Sequence, residues 1–342
     1  MDTVFSPDHR LRDAKTELYG GQLVAPFECP RRAELVLEAV ESAGLGAVLP
    51  PTEHDLASVL RVHDAGFVSF LATAWQDWRA AGFAGEAIPA VLPVRRTRIR
   101  PGRDVESRLG YYAMAAETSI SAGTYEAALV AKDVALSATA LIQGGHDAAF
   151  ALCRPPGHHA MRDMFGGYCF LNNAAIAAQA LRDGGCARVA VLDVDFHHGN
   201  GTQDIFYHRG DVLVVSLHGD PEDAFPHFTG FADERGEGPG DGFNLNLPLP
   251  RNTDWAAWSA ALDRGLRRID AFGPDAVVVS LGVDTYADDP IGFFTLGSAD
   301  FRRMGERLGK LRRPTAFVLE GGYAVDVIGQ NVVAVLAGHA GA

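Results

Sequence analysis

The chain has few cysteines for its length, and their spacing is uninformative. Of 342 residues four are cysteine, and no two of them form a C-x-x-C pair: Cys29, Cys153, Cys169 and Cys186. Four thiols in a chain this long do not make the disulfide framework of a small secreted domain. We therefore expect reduced, packed cysteines and a cytoplasmic location.

The sequence also lacks long apolar runs and an excess of basic residues. It has no run of about 18 apolar residues, and its first residues, MDTVFSPDHRLRDAK, lack the apolar core of a secretion signal. Lys and Arg total 30 against 43 Asp and Glu, a formal charge of −13. This balance argues against nucleic-acid and membrane partners. An acidic surface would attract a small cationic substrate, although many soluble proteins are acidic without that purpose.

Short apolar runs alternate with longer amphipathic stretches in the last two thirds of the chain. Because the runs are nearly continuous in apolar residues, they predict strands buried on both faces, at 148–153, 188–195, 211–217, 275–283 and 314–320. Helices are predicted at 31–42, 67–80, 125–143, 172–182, 255–272, 299–311 and 325–337. Such alternation indicates an α/β fold with a mostly parallel sheet and helices on both faces.

Residues 82–110 interrupt this pattern. The segment contains three prolines and a group of arginines, and it has no helical or strand period. A long irregular excursion in a compact domain is usually functional, disordered or part of an interface.

Chemically unusual residues follow four of the predicted strands. In an open parallel sheet, ligands bind beyond the carboxyl ends of the strands, so these residues should meet at one edge. Asp195 and His197 follow one strand and Asp284 follows another. A carboxylate that ends so apolar a run needs a partner or a metal. Three protein ligands with one open position describe a catalytic zinc site, although two carboxylates and one imidazole would also suit Fe²⁺ or Co²⁺. Asp193 is placed to accept an N–H from a neighbouring histidine and fix its tautomer.

Taken together, the motifs resemble those of the histone deacetylase family, most closely its acetylpolyamine amidohydrolase branch. The similar segments occur in the family's order and are DHRLRDAKTELYGG (8–21), RPPGHHA (154–160), GGYCFLNN (166–173), VLDVDFHHGNGTQDIFY (191–207), SLHGDPEDAFP (216–226), SLGVDTYADDP (280–290) and LEGGY (319–323). The resemblance implies one arginase-like α/β domain over residues 1–342.

The resemblance also implies roles for individual residues. Asp195, His197 and Asp284 match the zinc ligands, and His158, His159 and Tyr323 match the catalytic residues. Tyr168 and Phe225 match the aromatic walls of the substrate tunnel. A structural potassium site is implied at Asp193, Ser216 and Leu217, with the carbonyls of Asp195 and His197.

Asn200 departs from the class I histone deacetylases, which have an aspartate behind the second histidine. With a neutral amide as its partner, His159 is less readily held as imidazolium, which suits a general base. We expect His159 to activate the attacking water and to protonate the leaving amine, with His158 supporting it through Asp193. Zinc and the Tyr323 hydroxyl would stabilise the oxyanion.

The branch implies a small cationic substrate, such as acetylputrescine, acetylcadaverine or acetylspermidine. An insertion like 82–110 forms a homodimer interface and roofs the active site in that branch. Glu117, Glu106 and Tyr19 are the expected substrate contacts near the mouth.

Two other interpretations remain open at this stage. A broad-range deacylase of acyl-lysine peptides would share every catalytic residue and differ in access to the tunnel. A non-catalytic sensor would keep the pocket without turnover, but the complete catalytic set argues against it. An arginase or agmatinase, which shares the fold, would normally carry two manganese sites with more aspartates and histidines at these strand ends, whereas this sequence supplies one metal set.

Overall fold

A computed structural model describes residues 1–93 and 98–342. Residues 94–97, which belong to the predicted inserted segment 82–110, lie outside the described residues. In the described ranges, no helix is long and apolar enough to cross a membrane.

The described chain contains ten strands and ten α-helices. The strands β1 to β10 are Asp2–Val4, Glu17–Tyr19, Gln22–Val24, Val48–Leu49, Ala148–Ala151, Val189–Asp193, Val212–Gly219, Asn244–Leu249, Ala276–Leu281 and Thr315–Leu319. The helices α1 to α10 are Pro30–Ala43, Ala57–Val62, Ala65–Ala80, Val105–Tyr111, Thr124–Gln143, Asn173–Asp183, Asn200–Phe206, Trp255–Phe272, Ser298–Gly309 and Val325–Ala340.

Eight of these strands form one sheet in the order β4-β1-β5-β10-β9-β6-β7-β8. All seven neighbouring pairs are parallel. Strands β2 and β3 form a separate antiparallel hairpin. The predicted single-domain α/β fold with a mostly parallel sheet is thus confirmed.

The sheet is covered on both faces, as its apolar strands require. In β6, Val189 and Val191 face one hydrophobic core, whereas Ala190 and Leu192 face the other. Side chains alternate across a strand, so a strand buried on both faces must be apolar at every position. Helices α5 and α6 pack on the first face, and α1, α8, α9 and α10 cover the second.

Some elements were not predicted from the sequence. Strand β8 was not predicted because its sequence, NLNLPL, mixes polar and apolar residues. It lies at an edge of the sheet. Helix α4 begins inside the segment that we expected to be irregular. Asp104 caps it by accepting the N–H groups of Glu106 and Ser107, which starts a helix without a long periodic pattern.

Candidate active site

Three buried side chains meet beyond the carboxyl ends of β6 and β9. One potential metal-binding atom from each of Asp195, His197 and Asp284 lies within 4.8 Å of the other two. The backbone holds both carboxylates in place: Gly321 N–H donates to Asp195 Oδ2 at 2.7 Å, and Phe196 N–H donates to Asp284 Oδ1 at 2.7 Å. The structure thus brings together the three residues predicted to bind the catalytic metal.

The electrostatics of this cluster favour a bound cation. Asp195 and Asp284 are fully buried, and two neighbouring carboxylates repel each other where water cannot screen them. Burial, followed by the negative charge of Asp195, raises the pKa of Asp284 to about 8. A divalent ion would offset this repulsion, and the two carboxylates and one imidazole are donors that zinc accepts. The residues present therefore fit a catalytic metal.

His158 and His159 lie beside this cluster, on the segment that follows β5. Their ring centroids are 4.0 Å apart. His158 Nδ1 lies 2.9 Å from Asp193 Oδ2, and His159 Nδ1 lies 2.7 Å from Asn200 Oδ1. A carboxylate or an amide oxygen accepts the proton on Nδ1, so Nε2 is the nitrogen that each ring can offer for other contacts.

The two histidines differ in charge because their surroundings differ. Burial lowers the pKa of His158, but the carboxylates of Asp195 and Asp193 outweigh it and hold the pKa well above its usual value. Burial and the charges of His158 and His197 hold the pKa of His159 well below its usual value. His159 is therefore the neutral member of the pair, and only a neutral imidazole can accept a proton.

Tyr323 lies on the segment after β10, and several groups fix its position. Its backbone N–H donates to Asp289 Oδ2 at 2.7 Å. The Arg32 guanidinium lies over the tyrosine ring at 4.7 Å and donates to the carbonyls of Glu320 and Gly322, each at 2.6 Å. Burial raises the pKa of Tyr323 well above its usual value. Its hydroxyl therefore stays protonated and can donate a hydrogen bond.

A cavity of about 430 Å³ connects these groups to solvent. His159, His197 and Tyr323 line its buried part, and the aromatic rings of Tyr168, Phe225 and Phe293 also face it. Phe225 lies with its ring 5.1 Å from that of His159, and Tyr168 lies with its ring 5.6 Å from that of Tyr323. The two predicted aromatic wall residues thus lie against the candidate catalytic groups.

Carboxylates line the same cavity. They come from three distant parts of the chain: Glu17, Glu117 and Asp223. Glu117 is half-buried and accepts the Gly167 N–H through Oε1 at 2.7 Å. Tyr19, which is half exposed, also lines the cavity, as expected for a substrate contact.

Glu106, the other predicted acidic contact, lies outside this cavity. It lies on the first turn of α4, is exposed, and lines surface grooves with Asp104, away from the residues of the main cavity. It is the second residue of α4, which lies within the inserted segment. Glu106 therefore does not line the cavity of its own chain.

The residues of the implied potassium site lie together where β6 ends beside β7. Asp193 pairs with Ser216 in the parallel register of these strands. Within the described part of the chain, no hydrogen bond is donated to the carbonyls of Asp195 and His197, which lie beyond β6. Buried carbonyls without a donor next to a carboxylate and a hydroxyl suit a monovalent cation.

Some residues that shape the site were missed in the sequence. Glu320 is fully buried and its Oε2 accepts the N–H groups of Gly157 and His158, at 2.7 and 3.1 Å, which positions the histidine pair. Burial raises its pKa to about 7. Its place between an apolar strand and a glycine pair was a signal that could have been used. Glu17 carries no such local signal, because only the tertiary structure places it beside the Tyr168 hydroxyl, which donates to it at 2.7 Å.

Comparison with known proteins gives a consistent picture. Residues 26–339 match the model of the histone deacetylase domain. The chain is 58% identical to the acetylpolyamine amidohydrolase of Mycoplana ramosa, over 100% of both sequences. It is 53% identical to acetylpolyamine amidohydrolase 2 of Pseudomonas aeruginosa, over 100% of this chain and 99% of that protein.

A solved structure is similar along its whole length. The crystal structure of the acetylpolyamine aminohydrolase from Burkholderia pseudomallei superposes with a TM-score of 0.94 at 41% identity. The match covers 99% of this chain and 98% of that one. From the domain match and these full-length similarities, we conclude that the chain belongs to the histone deacetylase family.

Proposed function

We propose that the protein is a zinc-dependent amide hydrolase that deacetylates acetylated polyamines, giving acetate and the free amine. The observation that carries this proposal is the cavity: His197 of the buried triad, His159 and Tyr323 line it together with three carboxylates, Glu17, Glu117 and Asp223. The metal-binding and catalytic residues are the groups that hydrolysis of an acetamide requires. The carboxylates are the groups that would bind a distant ammonium group of the same substrate. The full-length similarity to acetylpolyamine amidohydrolases supports the same substrate class.

Asp195, His197 and Asp284 would hold the zinc ion. When bound, zinc would polarise the scissile carbonyl and lower the pKa of a coordinated water. The same donors would also accept Fe²⁺ or Co²⁺.

His159 accepts the proton of the water that attacks the amide carbon. It is the neutral member of the histidine pair, and its Nδ1 is engaged by Asn200, which leaves Nε2 to act as the base. A positioned base contributes about 10²–10⁴-fold in rate. The Tyr323 hydroxyl donates a hydrogen bond to the carbonyl oxygen and strengthens it as that oxygen becomes negative.

The departing amine takes its proton from His159, which carries one after the attack. His158 supports this step from its position between His159 and Asp193, since its positive charge favours return of the proton from the neighbouring ring. The amine leaves as an ammonium ion, a cation of the kind that the carboxylates of the cavity attract.

The carboxylates would discriminate for polyamines over uncharged amides. Among the described residues, Glu117 accepts the Gly167 N–H and the Thr118 hydroxyl through Oε1, which leaves Oε2 for an ammonium group. Tyr19 adds an aromatic face on the exposed part of the cavity, where a cation–π contact is favourable. These are the substrate contacts that we assign within the chain.

We propose that a potassium ion, bound next to the zinc site, stabilises that site. Asp193, Ser216 and the Leu217 carbonyl would hold it, together with the carbonyls of Asp195 and His197. The cation would fix the segment that carries two zinc ligands, and it would offset the negative charge of Asp193.

We further propose that residues 82–110 form the interface of a homodimer and roof the active site. Three exposed apolar side chains of this segment support the idea: Val91 is 71% exposed, Leu92 41% and Ile99 46%. Glu106 would approach the mouth of a substrate cavity only across such an interface. A Val91→Asp variant should be monomeric in light scattering and lose polyamine selectivity. A wild-type protein that is itself monomeric would contradict the proposal.

We also propose a cytoplasmic location. The four cysteines are unpaired, which is typical of proteins in a reducing compartment.

The test of function is a comparison of kcat/KM on the zinc-loaded enzyme. Acetylputrescine, acetylcadaverine and acetylspermidine are compared with an acetyl-lysine peptide. A preference of about tenfold or more, equivalent to about 1.4 kcal/mol, for the free polyamines supports the proposal. If the peptide is preferred, the protein is a broad-range acyl-lysine deacylase with the same catalytic residues.

A further inference from the structure

His218 connects the proposed potassium site to a wall of the substrate cavity. It is fully buried in β7, two residues after Ser216. Its Nδ1 lies 2.7 Å from Ser216 Oγ, and its Nε2 lies 2.9 Å from the carbonyl oxygen of Gly230. One ring therefore spans from a potential cation ligand to a residue of the following loop.

The direction of these hydrogen bonds follows from their chemistry. A carbonyl oxygen can only accept, so His218 Nε2 carries a proton and donates it to Gly230. When the proton of the neutral ring is on Nε2, Nδ1 carries a lone pair, and it faces the Ser216 hydroxyl. Its Nδ1 is then an acceptor, and Ser216 must donate its hydroxyl proton. Both lone pairs of Ser216 Oγ are left for a cation.

Gly230 is held firmly at the other end of this connection. Its N–H donates to Glu234 Oε2 at 2.8 Å, and the same oxygen accepts from Gln203 Nε2 at 2.7 Å and Asn246 Nδ2 at 3.1 Å. A side chain could not replace its hydrogen, because a Cβ would lie 2.9 Å from His218 Nε2. Gly230 is therefore packed directly against the His218 ring.

The segment between these points carries a wall of the active-site cavity. Residues 220–230 run from the end of β7 to Gly230 and include Phe225, whose ring lies 5.1 Å from that of His159. His227, on the same segment, also lines the cavity. A displacement of Gly230 relative to β7 would therefore change the position of Phe225.

We infer that His218 is a positioning residue that orients the Ser216 hydroxyl toward the monovalent cation and transmits occupancy of that site to the loop bearing Phe225. The inference rests on the proposed cation site, and it adds a function for that site. The cation would shape the substrate cavity as well as support the zinc ligands.

Two variants of His218 each keep one of its hydrogen bonds and remove the other. In His218→Asn, the amide oxygen occupies the place of Nδ1 and can accept from Ser216, but the side chain is too short for Gly230. In His218→Gln, the amide nitrogen occupies the place of Nε2 and can donate to Gly230, but no acceptor faces Ser216. His208→Asn, in which the substituted histidine is exposed with 66% of its side chain accessible, is the matched control.

The measurements use the zinc-loaded enzyme and KCl, with tetramethylammonium chloride holding ionic strength constant. The rise of Tm with KCl gives the half-saturating concentration, and hydrogen–deuterium exchange reports the protection of residues 220–230. We expect His218→Gln to raise the half-saturating concentration about tenfold, the effect of one lost hydrogen bond. We expect His218→Asn to keep it within about threefold, yet lose the KCl-dependent protection of the loop.

Wild-type values of both quantities in both variants would overturn the role of His218. A wild-type Tm that does not respond to KCl would overturn the cation site and this inference together. Neither result bears on the deacetylase assignment, which the acetylpolyamine assay tests separately. Ser216→Ala supplies a further check, since it should lower the response to KCl while leaving the His218–Gly230 hydrogen bond in place.

Discussion

Gly321 donates its backbone N–H to Asp195 Oδ2 at 2.7 Å, across 126 positions of sequence. This hydrogen bond joins a proposed zinc ligand to the segment that carries Tyr323. A Cβ at position 321 would lie 2.5 Å from Oδ2 of both Asp195 and Asp284, which is closer than real Cβ atoms approach. The metal site and the tyrosine are therefore positioned by the same close packing.

Replacing Gly321 with alanine should weaken metal binding. The added methyl group must displace at least one carboxylate, and disturbing a group that orients a metal ligand typically costs about 10–100-fold in metal affinity. Zinc content after dialysis against a graded chelator, measured by atomic emission, checks this expectation. Gly85→Ala is the control, because in the described part of the chain no atom apart from those of its two neighbours lies within 4 Å of the Cβ that it adds. Equal zinc retention in both variants would contradict the role of this contact.

Tyr323→Phe should lower kcat by about 10²–10³-fold, because it removes one donor to the developing oxyanion. Zinc content should remain unchanged, since the tyrosine is not among the three clustered ligands. Steady-state kinetics with acetylputrescine and metal analysis of the same sample measure both quantities. Near-normal kcat would remove Tyr323 from the mechanism.

Glu117→Gln should impair polyamines selectively. The glutamine keeps an Oε1 acceptor for the Gly167 N–H, so the backbone contact survives while the negative charge is lost. We expect KM for acetylspermidine to rise about tenfold and KM for an uncharged N-alkylacetamide to change little. Glu126→Gln, on the exposed surface of α5, is the control. Equal effects on both substrates would rule out an ammonium contact.

Asn200→Asp should shift the pH dependence of catalysis. A carboxylate in place of the amide oxygen, 2.7 Å from His159 Nδ1, favours the imidazolium and raises the pKa of His159. The base must be neutral to accept a proton, so the acid limb of the kcat/KM profile moves to higher pH. An unchanged limb would indicate that another group is the base.

His63 should make the protein less stable in mild acid. It is fully buried; Asn172 N–H donates to Nε2 at 2.9 Å, and Nδ1 lies 2.9 Å from the Met161 carbonyl. Burial lowers the pKa of His63 to about 4 from 6.5. Above pH 6.5 neither the folded nor the unfolded state binds the proton, and the stabilisation is complete.

Between pH 6.5 and about 4, only the unfolded state binds a proton at His63. As the pH falls through this range, His63 therefore lowers the free energy of unfolding by about 1.4 kcal/mol per pH unit. Urea unfolding at several pH values should show a shallower acid slope in His63→Gln. His146→Gln, in which an exposed histidine is replaced, is the control. Identical slopes in His63→Gln and wild type would contradict the assignment.

The sequence determined the fold class and the metal cluster because both depend on strands. Five apolar runs predicted β5, β6, β7, β9 and β10, and parallel strands place their following residues at one edge of the sheet. Asp195, His197 and Asp284 are therefore brought together by a rule that needs no knowledge of loops. The domain match and the structural similarity confirm the family that these motifs predicted.

Only the tertiary structure decided which carboxylates line the cavity. Glu17 reaches it from the β2–β3 hairpin and Asp223 from the loop after β7, whereas Glu106 is carried away on α4. A surface glutamate that binds substrate and one that is merely solvated look alike in sequence, since neither interrupts a hydrophobic pattern. Their positions depend on contacts between segments that are distant in sequence, such as the hydrogen bond from the Tyr168 hydroxyl to Glu17, 151 positions apart.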